Sequence, residues 1–223
     1  MHQPRIMQLY KTLESHFGFL DWWPGDSKAE IVVGAILTQS ASWKNVEKAI
    51  ANLKSKDMID PKRIANADIK RLEQLVRPSG FYRQKARRLR GFMSYVVKRH
   101  GSLESMFSND ASPLRAELLS INGIGNETAD SIALYAAEKP IFVIDAYTRR
   151  ILGRVYGTKR YEKSECYDIL QKEIEASIRK DVVLYKDFHA QFVELGKNCC
   201  RAKPLCGSCP LKRQCKYFKD LQQ

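Results

Sequence analysis

Five of the six cysteines in this 223-residue chain fall within seventeen residues near its C-terminal end. Four of them, Cys199, Cys206, Cys209 and Cys215, are separated by six, two and five residues. Clustered thiolates in a reducing cytosol usually hold metal, because disulfides are rare there. Four cysteines can ligate either zinc or a 4Fe–4S cluster. A zinc ribbon usually has two close cysteine pairs, whereas only Cys206 and Cys209 form one here.

The charge of the chain points to a polyanionic partner. It carries 38 Lys and Arg against 25 Asp and Glu, a net charge of +13. Nucleic acid is the first candidate, and a basic protein at a membrane surface is the competing one. The N-terminal residues lack the apolar core of a signal peptide, and no long uncharged apolar run occurs. We therefore expect a soluble cytoplasmic protein that associates with the nucleoid and does not enter a membrane.

Apolar residues recur at helical spacing in nearly every segment, which predicts an all-α fold. Two turns interrupt the helices, Arg77-Pro78-Ser79-Gly80 and Asn122-Gly123-Ile124-Gly125. The second turn lies between helices predicted over 113–121 and 127–137, the first of which has Ser112 as its expected N-cap. The short apolar run 141–144 is predicted to be either a strand or the buried start of a helix.

Three features follow one another in an informative order. The turn at Gly123 and Gly125 can present backbone N–H groups to a DNA phosphate. Asp145 follows about twenty residues later at the start of a predicted helix. Alone, this turn would be a structural helical hairpin, and Asp145 would be an N-cap. Hairpin, aspartate and cysteine segment together resemble the endonuclease III superfamily of helix-hairpin-helix DNA glycosylases.

This resemblance implies an all-α, two-lobed helix-hairpin-helix fold with a C-terminal 4Fe–4S cluster loop over 199–215. The four spaced cysteines are then the ligands, whereas Cys166 and Cys200 are expected to be ordinary free thiols. The central helical domain is expected over 26–138. The terminal domain is expected to combine 1–25 with 139–223.

The resemblance also implies an enzymatic role for Asp145. It would stabilise the positive charge that develops on the sugar and orient or deprotonate the attacking water. Bifunctional members carry a lysine at the position of Glu127, and that lysine forms a Schiff base. Glu127 therefore implies a monofunctional glycosylase. The alternatives are an oxidised-pyrimidine or mismatch glycosylase with lyase activity, and a non-catalytic iron–sulfur protein that binds DNA.

Four residues near the N-terminus resemble the base pocket of the 3-methyladenine DNA glycosylase branch: Trp22, Trp23, Pro24 and Trp43. Electron-rich rings would attract a cationic alkylated purine such as 3-methyladenine or 7-methylguanine. The alternative is that the tryptophans are only core anchors. Lys197 occupies the position of a pocket lysine in that branch, with an exposed surface lysine as the alternative. His189 is expected to be a packing histidine.

The remaining predictions concern contacts of a monomer with double-stranded DNA that contains damaged bases. By the same resemblance, Gln39 would fill the gap left by a flipped base, and Phe81 would act as a wedge. Residues 77–100 contain eight Lys or Arg and no Asp or Glu. Arg83 and Lys85 in this run are expected to face phosphates, together with Gly123 and Gly125.

Overall fold

The computed structural model describes residues 6–20 and 22–222. These residues form helices, turns and irregular segments without a β-strand, which confirms the all-α expectation. No helix in the described ranges combines the length and apolar character that crossing a membrane requires. The helices are α1 (Ile6–Phe17), α2 (Lys28–Leu37), α3 (Trp43–Lys54), α4 (Pro61–Ala65), α5 (Ile69–Val76), α6 (Tyr82–His100), α7 (Leu103–Phe107), α8 (Ala111–Ser120), α9 (Asn126–Ser131), α10 (Ala146–Tyr156), α11 (Tyr167–Ser177), α12 (Val182–Asn198) and α13 (Lys216–Asp220).

The chain divides into two compact units. The central unit comprises Trp23–Lys139, and the terminal unit combines the described residues up to Trp22 with those from Pro140 onward. The sequence placed the central domain at 26–138, so the two descriptions differ by three residues at one end and one at the other. Each unit is described by itself below.

In the central unit, the long helix α6 packs against α4 and α5. Its apolar face contributes Leu89, Phe92, Met93 and Val96, all fully buried. Gly101 ends the helix at φ +77°, a conformation that glycine adopts without steric cost. This face of α6 therefore belongs to the core of the central unit.

Helix α8 begins earlier than the sequence analysis predicted. It starts at Ala111 with Asp110 as its N-cap residue, so Ser112 is a helical residue and the prediction that it caps the helix was wrong. Pro113 is then the third residue of the helix. The first four N–H groups of a helix have no partner within it, so a proline is tolerated there.

In the terminal unit, α12 packs against α1 and α10. The buried carboxylate of Asp187 on α12 accepts a hydrogen bond from the Leu20 backbone N–H at 2.7 Å. One turn later, the Gln191 amide donates to the Gly18 carbonyl at 2.7 Å. These two contacts hold the segment that leads to Trp22 against α12.

The segment 141–144 is buried but irregular, and it pairs with no strand among the described residues. Side chains of α11 satisfy its backbone instead. Gln171 donates to the Phe142 carbonyl at 2.7 Å, and Glu175 accepts from the Phe142 N–H at 2.8 Å. Buried backbone groups need partners, and here polar side chains replace a β-ladder.

Replacing Gln171 with alanine should destabilise the protein. The substitution leaves the buried Phe142 carbonyl without this donor, which costs about 1–3 kcal/mol in the free energy of unfolding. Denaturant titration followed by circular dichroism measures the loss. Lys172→Ala, at the neighbouring exposed position on α11, is the control and should change the value by less than about 0.5 kcal/mol. Equal stability of the two variants would contradict this account of the segment.

Candidate active site

Asp145 uses its two carboxylate oxygens differently. Oδ1 accepts hydrogen bonds from the Thr148 N–H at 2.7 Å and the Thr148 hydroxyl at 2.8 Å, which caps the N-terminus of α10. Oδ2 lies 3.8 Å from Nε2 of His189. That distance is too long for a hydrogen bond but short enough for electrostatic interaction. The cap therefore fixes the orientation of the carboxylate without using Oδ2.

His189 is almost completely buried on α12. Burial lowers the pKa of this imidazole, and the nearby Asp145 carboxylate opposes that shift. Desolvation is the larger effect, because a charged ring loses its hydration in the interior. His189 is therefore neutral at pH 7 and places no positive charge beside Oδ2 of Asp145.

Trp22 lies beside His189 in the same unit. Their ring centroids are 5.7 Å apart, and Nζ of Lys197 lies 5.8 Å from the centroid of the Trp22 ring. Lys197 is exposed, as expected for a surface lysine. It also makes this cation–π contact with Trp22. A cavity of about 200 Å³ opens here, and its lining within the described residues does not include Asp145. The lining residues are Phe19, Leu20, Trp22, Ala190, Val193, Glu194 and Lys197.

The other two tryptophans belong to the central unit, where they pack together. The Trp23 and Trp43 rings meet edge to face at 5.3 Å, and Trp23 also lies 4.9 Å from the Tyr135 ring. A Cβ on Gly34 would come within 3.4 Å of both indoles, so α2 presents a glycine where the rings approach it. Trp23 and Trp43 are half-buried, and Pro24 is exposed. This cluster is part of the packing and still presents aromatic surface.

The glycine turn connects α8 to α9. Gly123 has φ +86°, which favours glycine, whereas Gly125 is extended and precedes the first residue of α9. Ile121 and Ile124 are buried and anchor the turn. The helix-hairpin-helix geometry predicted around Gly123 and Gly125 is thus present in the central unit.

Gln39 is tied to this hairpin. Its amide nitrogen donates to the Gly123 carbonyl and to the Thr128 hydroxyl, both at 3.0 Å. Its amide oxygen accepts from Arg88 on α6 at 2.5 Å. Sequence reasoning named Gln39 but missed Arg88 as its partner, because nothing in a run of basic residues singles out one member.

Phe81 is the most exposed of the large apolar side chains at 71%. It also has φ +43°, a left-handed conformation that is strained for a residue other than glycine. The neighbouring Arg83 is exposed, with its guanidinium 5.7 Å from the Tyr82 ring centroid. Exposure and strain together are typical of functional positions.

The prediction that Lys85 faces DNA phosphates was wrong. The side chain is 1% exposed, and its ammonium donates to the Leu37 carbonyl at 2.8 Å and the Ser79 carbonyl at 2.6 Å. Burial, with a smaller contribution from Arg88, lowers the pKa of Lys85 to about 8. It lies on the inner face of α6, whereas Arg83 and Arg87 lie on the outer face.

The six cysteines are all free thiols, so no disulfide competes with a metal or cluster. Within 6–20 and 22–222, no group of three or more His, Cys, Asp or Glu side chains has the geometry to bind a single metal ion. A cubane cluster spreads its four thiolates over four irons, so they need not converge on one point. Burial is the main cause that raises the pKa of Cys209 and Cys215, and neighbouring cysteines add to it: Cys199, Cys200 and Cys215 act on Cys209, and Cys200 and Cys206 act on Cys215.

Backbone groups also favour thiolates in this segment. The Leu211 N–H bonds to the sulfur of Cys209, and the Phe218 and Tyr217 N–H groups bond to that of Cys215. Such hydrogen bonds are typical around cluster sulfurs. The donor set, its spacing and these N–H groups fit an iron–sulfur cluster.

Substituting His189 should alter how stability depends on pH. The folded pKa lies below the ordinary value of 6.5, so the unfolded chain binds a proton at acidic pH that the folded chain does not. The free energy of unfolding therefore decreases as pH falls below 6.5, with a slope of at most about 1.4 kcal/mol per pH unit for one proton. His189→Asn removes this contribution, so its stability curve should be flatter in acid. Parallel curves for wild type and variant in denaturant titrations would contradict the pKa direction.

Comparison with known proteins agrees with this geometry. The profile of the HhH-GPD superfamily base excision DNA repair proteins matches residues 33–176, more than half of the chain. A protein of Methanocaldococcus jannaschii, named as a DNA repair glycosylase, is 46% identical over 212 residues, which are 94% of this chain and 95% of that one.

Solved structures show the same relationship. The H. pylori 3-methyladenine DNA glycosylase MagIII, bound to 1,N6-ethenoadenine, matches with a TM-score of 0.77 and 32% identity, over 87% of this chain and 98% of that chain. A non-covalent endonuclease III–DNA complex has a TM-score of 0.83 at 21% identity, covers 100% of this chain and 99% of that one, and shows the shared fold. The resemblance to helix-hairpin-helix glycosylases is confirmed. This chain belongs to the HhH-GPD superfamily of base excision DNA repair proteins and is a DNA N-glycosylase.

Proposed function

We propose that this glycosylase is monofunctional and hydrolyses the N-glycosidic bond of alkylated purines flipped out of duplex DNA. The observation that carries the proposal is the arrangement of Asp145. One oxygen is fixed by Thr148, the other faces a neutral His189, and the carboxylate is nearly buried. A fixed carboxylate in a poorly solvated site interacts strongly with a developing positive charge.

The chemistry follows from this arrangement. Cleavage of the bond between base and sugar leaves positive charge on the sugar, which the Asp145 carboxylate stabilises. The same carboxylate accepts a proton from the water that attacks the sugar. Because His189 is neutral, it does not compete for the charge of Asp145. An alkylated purine already carries positive charge and leaves readily, so no strong acid is needed on the base.

Glu127 supports hydrolysis by water rather than by an amine. It is the second residue of α9, exposed, at the hairpin position where bifunctional relatives carry the lysine that attacks the sugar. A carboxylate cannot form a Schiff base. The product would then be an abasic site in an intact strand.

Aromatic rings would select the base. We assign this role to Trp22 in the terminal unit and to Trp23 and Trp43 in the central unit, with Pro24 and Lys197 as further contacts. Half-buried indoles attract a cationic base more strongly than a neutral one. The 32% identity to a 3-methyladenine DNA glycosylase supports an alkylated purine as the substrate.

The DNA contacts would come from exposed features of the central unit. Phe81 would act as the wedge, Arg83 would face a phosphate, and the hairpin at Gly123 and Gly125 would bind the backbone. Gln39 would contact the position left by the flipped base. The enzyme is proposed to act as a monomer on double-stranded DNA.

We further propose that the spaced cysteines at 199–215 hold a 4Fe–4S cluster. Burial raises the pKa of Cys209 to about 12, neighbouring cysteines add a smaller contribution, and bound iron would offset this cost of forming the thiolate. The arginines of α10 already hold this segment, since Arg150 donates to the Cys200 carbonyl at 2.8 Å and Arg154 to the Arg201 carbonyl at 2.6 Å. The cluster supplies structure to a basic loop rather than a step of the hydrolysis.

Substituting one proposed ligand should remove the cluster. Cys209→Ser is expected to lose most iron and acid-labile sulfide, measured per chain in anaerobically purified protein. Cys200→Ser is the matched control, because its thiol accepts a hydrogen bond from Arg154 at 3.2 Å and lies outside the spaced set. Zinc in the wild-type protein, or iron retained equally by both variants, would overturn the cluster assignment.

Asp145→Asn tests the catalytic proposal. Asparagine is as good an N-cap as aspartate, so α10 should persist while the charge and the proton acceptor are lost. Release of 3-methyladenine from methylated duplex DNA should fall by about 10²–10⁴-fold, a range typical of general-base catalysis. Asp181→Asn is the control, because Asp181 caps α12 in the same way, accepting from the Leu184 N–H at 2.8 Å. Equal rates for the two variants would contradict the catalytic role of Asp145.

A further inference from the structure

Lys85 joins two segments that approach DNA in the proposed function. The Gln39 segment (residues 37–40) begins at the last residue of α2, and the Phe81 turn (residues 77–81) precedes α6. The Lys85 ammonium donates to the Leu37 carbonyl in the first segment and to the Ser79 carbonyl in the second. Each accepting carbonyl lies two residues before the side chain proposed to enter the duplex.

The same residue is bound to the Phe81 turn through its backbone. The Lys85 N–H donates to the Phe81 carbonyl at 3.0 Å, which closes the first turn of α6. Within the Phe81 turn, the buried Ser79 hydroxyl donates to the Val76 carbonyl at 2.7 Å. The strained, exposed Phe81 is thus held by a fixed backbone on both sides.

Arg88, one helical turn after Lys85, extends the connection to the hairpin. It donates to the Gln39 amide, which in turn donates to the Gly123 carbonyl. The Arg88 side chain also lies against Gly123, where an added Cβ would come within 2.8 Å of it. One face of α6 therefore contacts all three segments of the central unit that are proposed to touch DNA.

We propose that Lys85 is a positioning residue that fixes the Gln39 segment and the Phe81 turn as one insertion device, so that Gln39 and Phe81 enter the duplex together. This inference rests on the proposed insertion of these two side chains. It assigns to a buried residue a role in opening DNA without any contact to DNA.

The chemistry of the residue supports a specific role. A buried ammonium is costly unless its N–H groups are satisfied, and the lowered pKa of Lys85, about 8, reflects that cost. A fully buried apolar side chain would avoid the cost but could not bind two carbonyls. Residues 41–76, 36 in number, separate the two segments along the chain, so their alignment depends on contacts of this kind.

The experiment separates insertion from folding and from affinity. A duplex carries a tetrahydrofuran abasic-site analogue with 2-aminopurine in the opposite strand, and 2-aminopurine becomes more fluorescent when it unstacks. The signal is measured at saturating protein and well below the melting temperature of each variant. Wild type should raise the fluorescence, and Phe81→Ala should abolish the rise.

Lys85→Met is the test variant. Phosphate contacts dominate affinity, so its Kd for the duplex should stay within about threefold of wild type. The inserted fraction should fall by at least about fivefold, because one ordinary hydrogen bond contributes about that factor and Lys85→Met removes two. Asn52→Ala is the matched control: it removes a side-chain bond of 3.1 Å to the Leu75 carbonyl in the same unit and should keep the wild-type signal.

Lys85→Gln provides a second test if Lys85→Met does not fold, because its amide keeps N–H donors with a shorter reach. It should also show reduced unstacking at saturation. Wild-type unstacking by either folded Lys85 variant would overturn the positioning role alone. A wild-type protein that binds this duplex without any fluorescence rise would instead overturn the insertion on which the inference rests. If Asn52→Ala loses as much of the fluorescence rise as Lys85→Met, then Lys85 is only a general stabilising residue and the positioning role is wrong.

Discussion

The capping of α10 by Asp145 is the interaction on which the terminal unit depends. The two hydrogen bonds from Thr148 begin the helix and at the same time orient the carboxylate. Further along the same helix, Arg150 and Arg154 bind carbonyls of the segment that carries the cysteines. A single helix therefore connects the carboxylate proposed to be catalytic to the proposed cluster loop. Through this helix, the proposed cluster would support the proposed active site without taking part in its chemistry.

Elsewhere in the protein, hydrogen bonds from side chains to backbone carbonyls stabilise irregular segments. Without a β-strand in its described residues, this protein must satisfy irregular buried segments in another way. Gln171 does so for the Phe142 carbonyl, and Lys85 does so for Leu37 and Ser79. In each case a polar or charged residue is buried at a cost, and the backbone it binds leads to a residue with a proposed function: Asp145 in one case, Gln39 and Phe81 in the other.

The sequence predicted the helices, the hairpin and the position of Asp145 because each depends on local signals. Helical periodicity, the closely spaced Gly123 and Gly125, and an aspartate at the start of a predicted helix can all be recognised without tertiary contacts. The burial of Lys85 could not be recognised, since helical phase alone does not show which basic residue of a run turns inward. The partners of segment 141–144 were equally hidden, because they lie on a helix about thirty residues later.

Analysis of both products of one reaction tests the central claim most directly. Methylated duplex DNA is incubated with the cluster-loaded wild-type protein, the freed bases are identified by mass spectrometry, and the DNA strand is examined for breaks and for borohydride-trapped protein. The account predicts free 3-methyladenine, an intact strand with an abasic site and no trapped adduct. Release of no methylated base by protein that binds the DNA, or a trapped adduct with a broken strand, would contradict it.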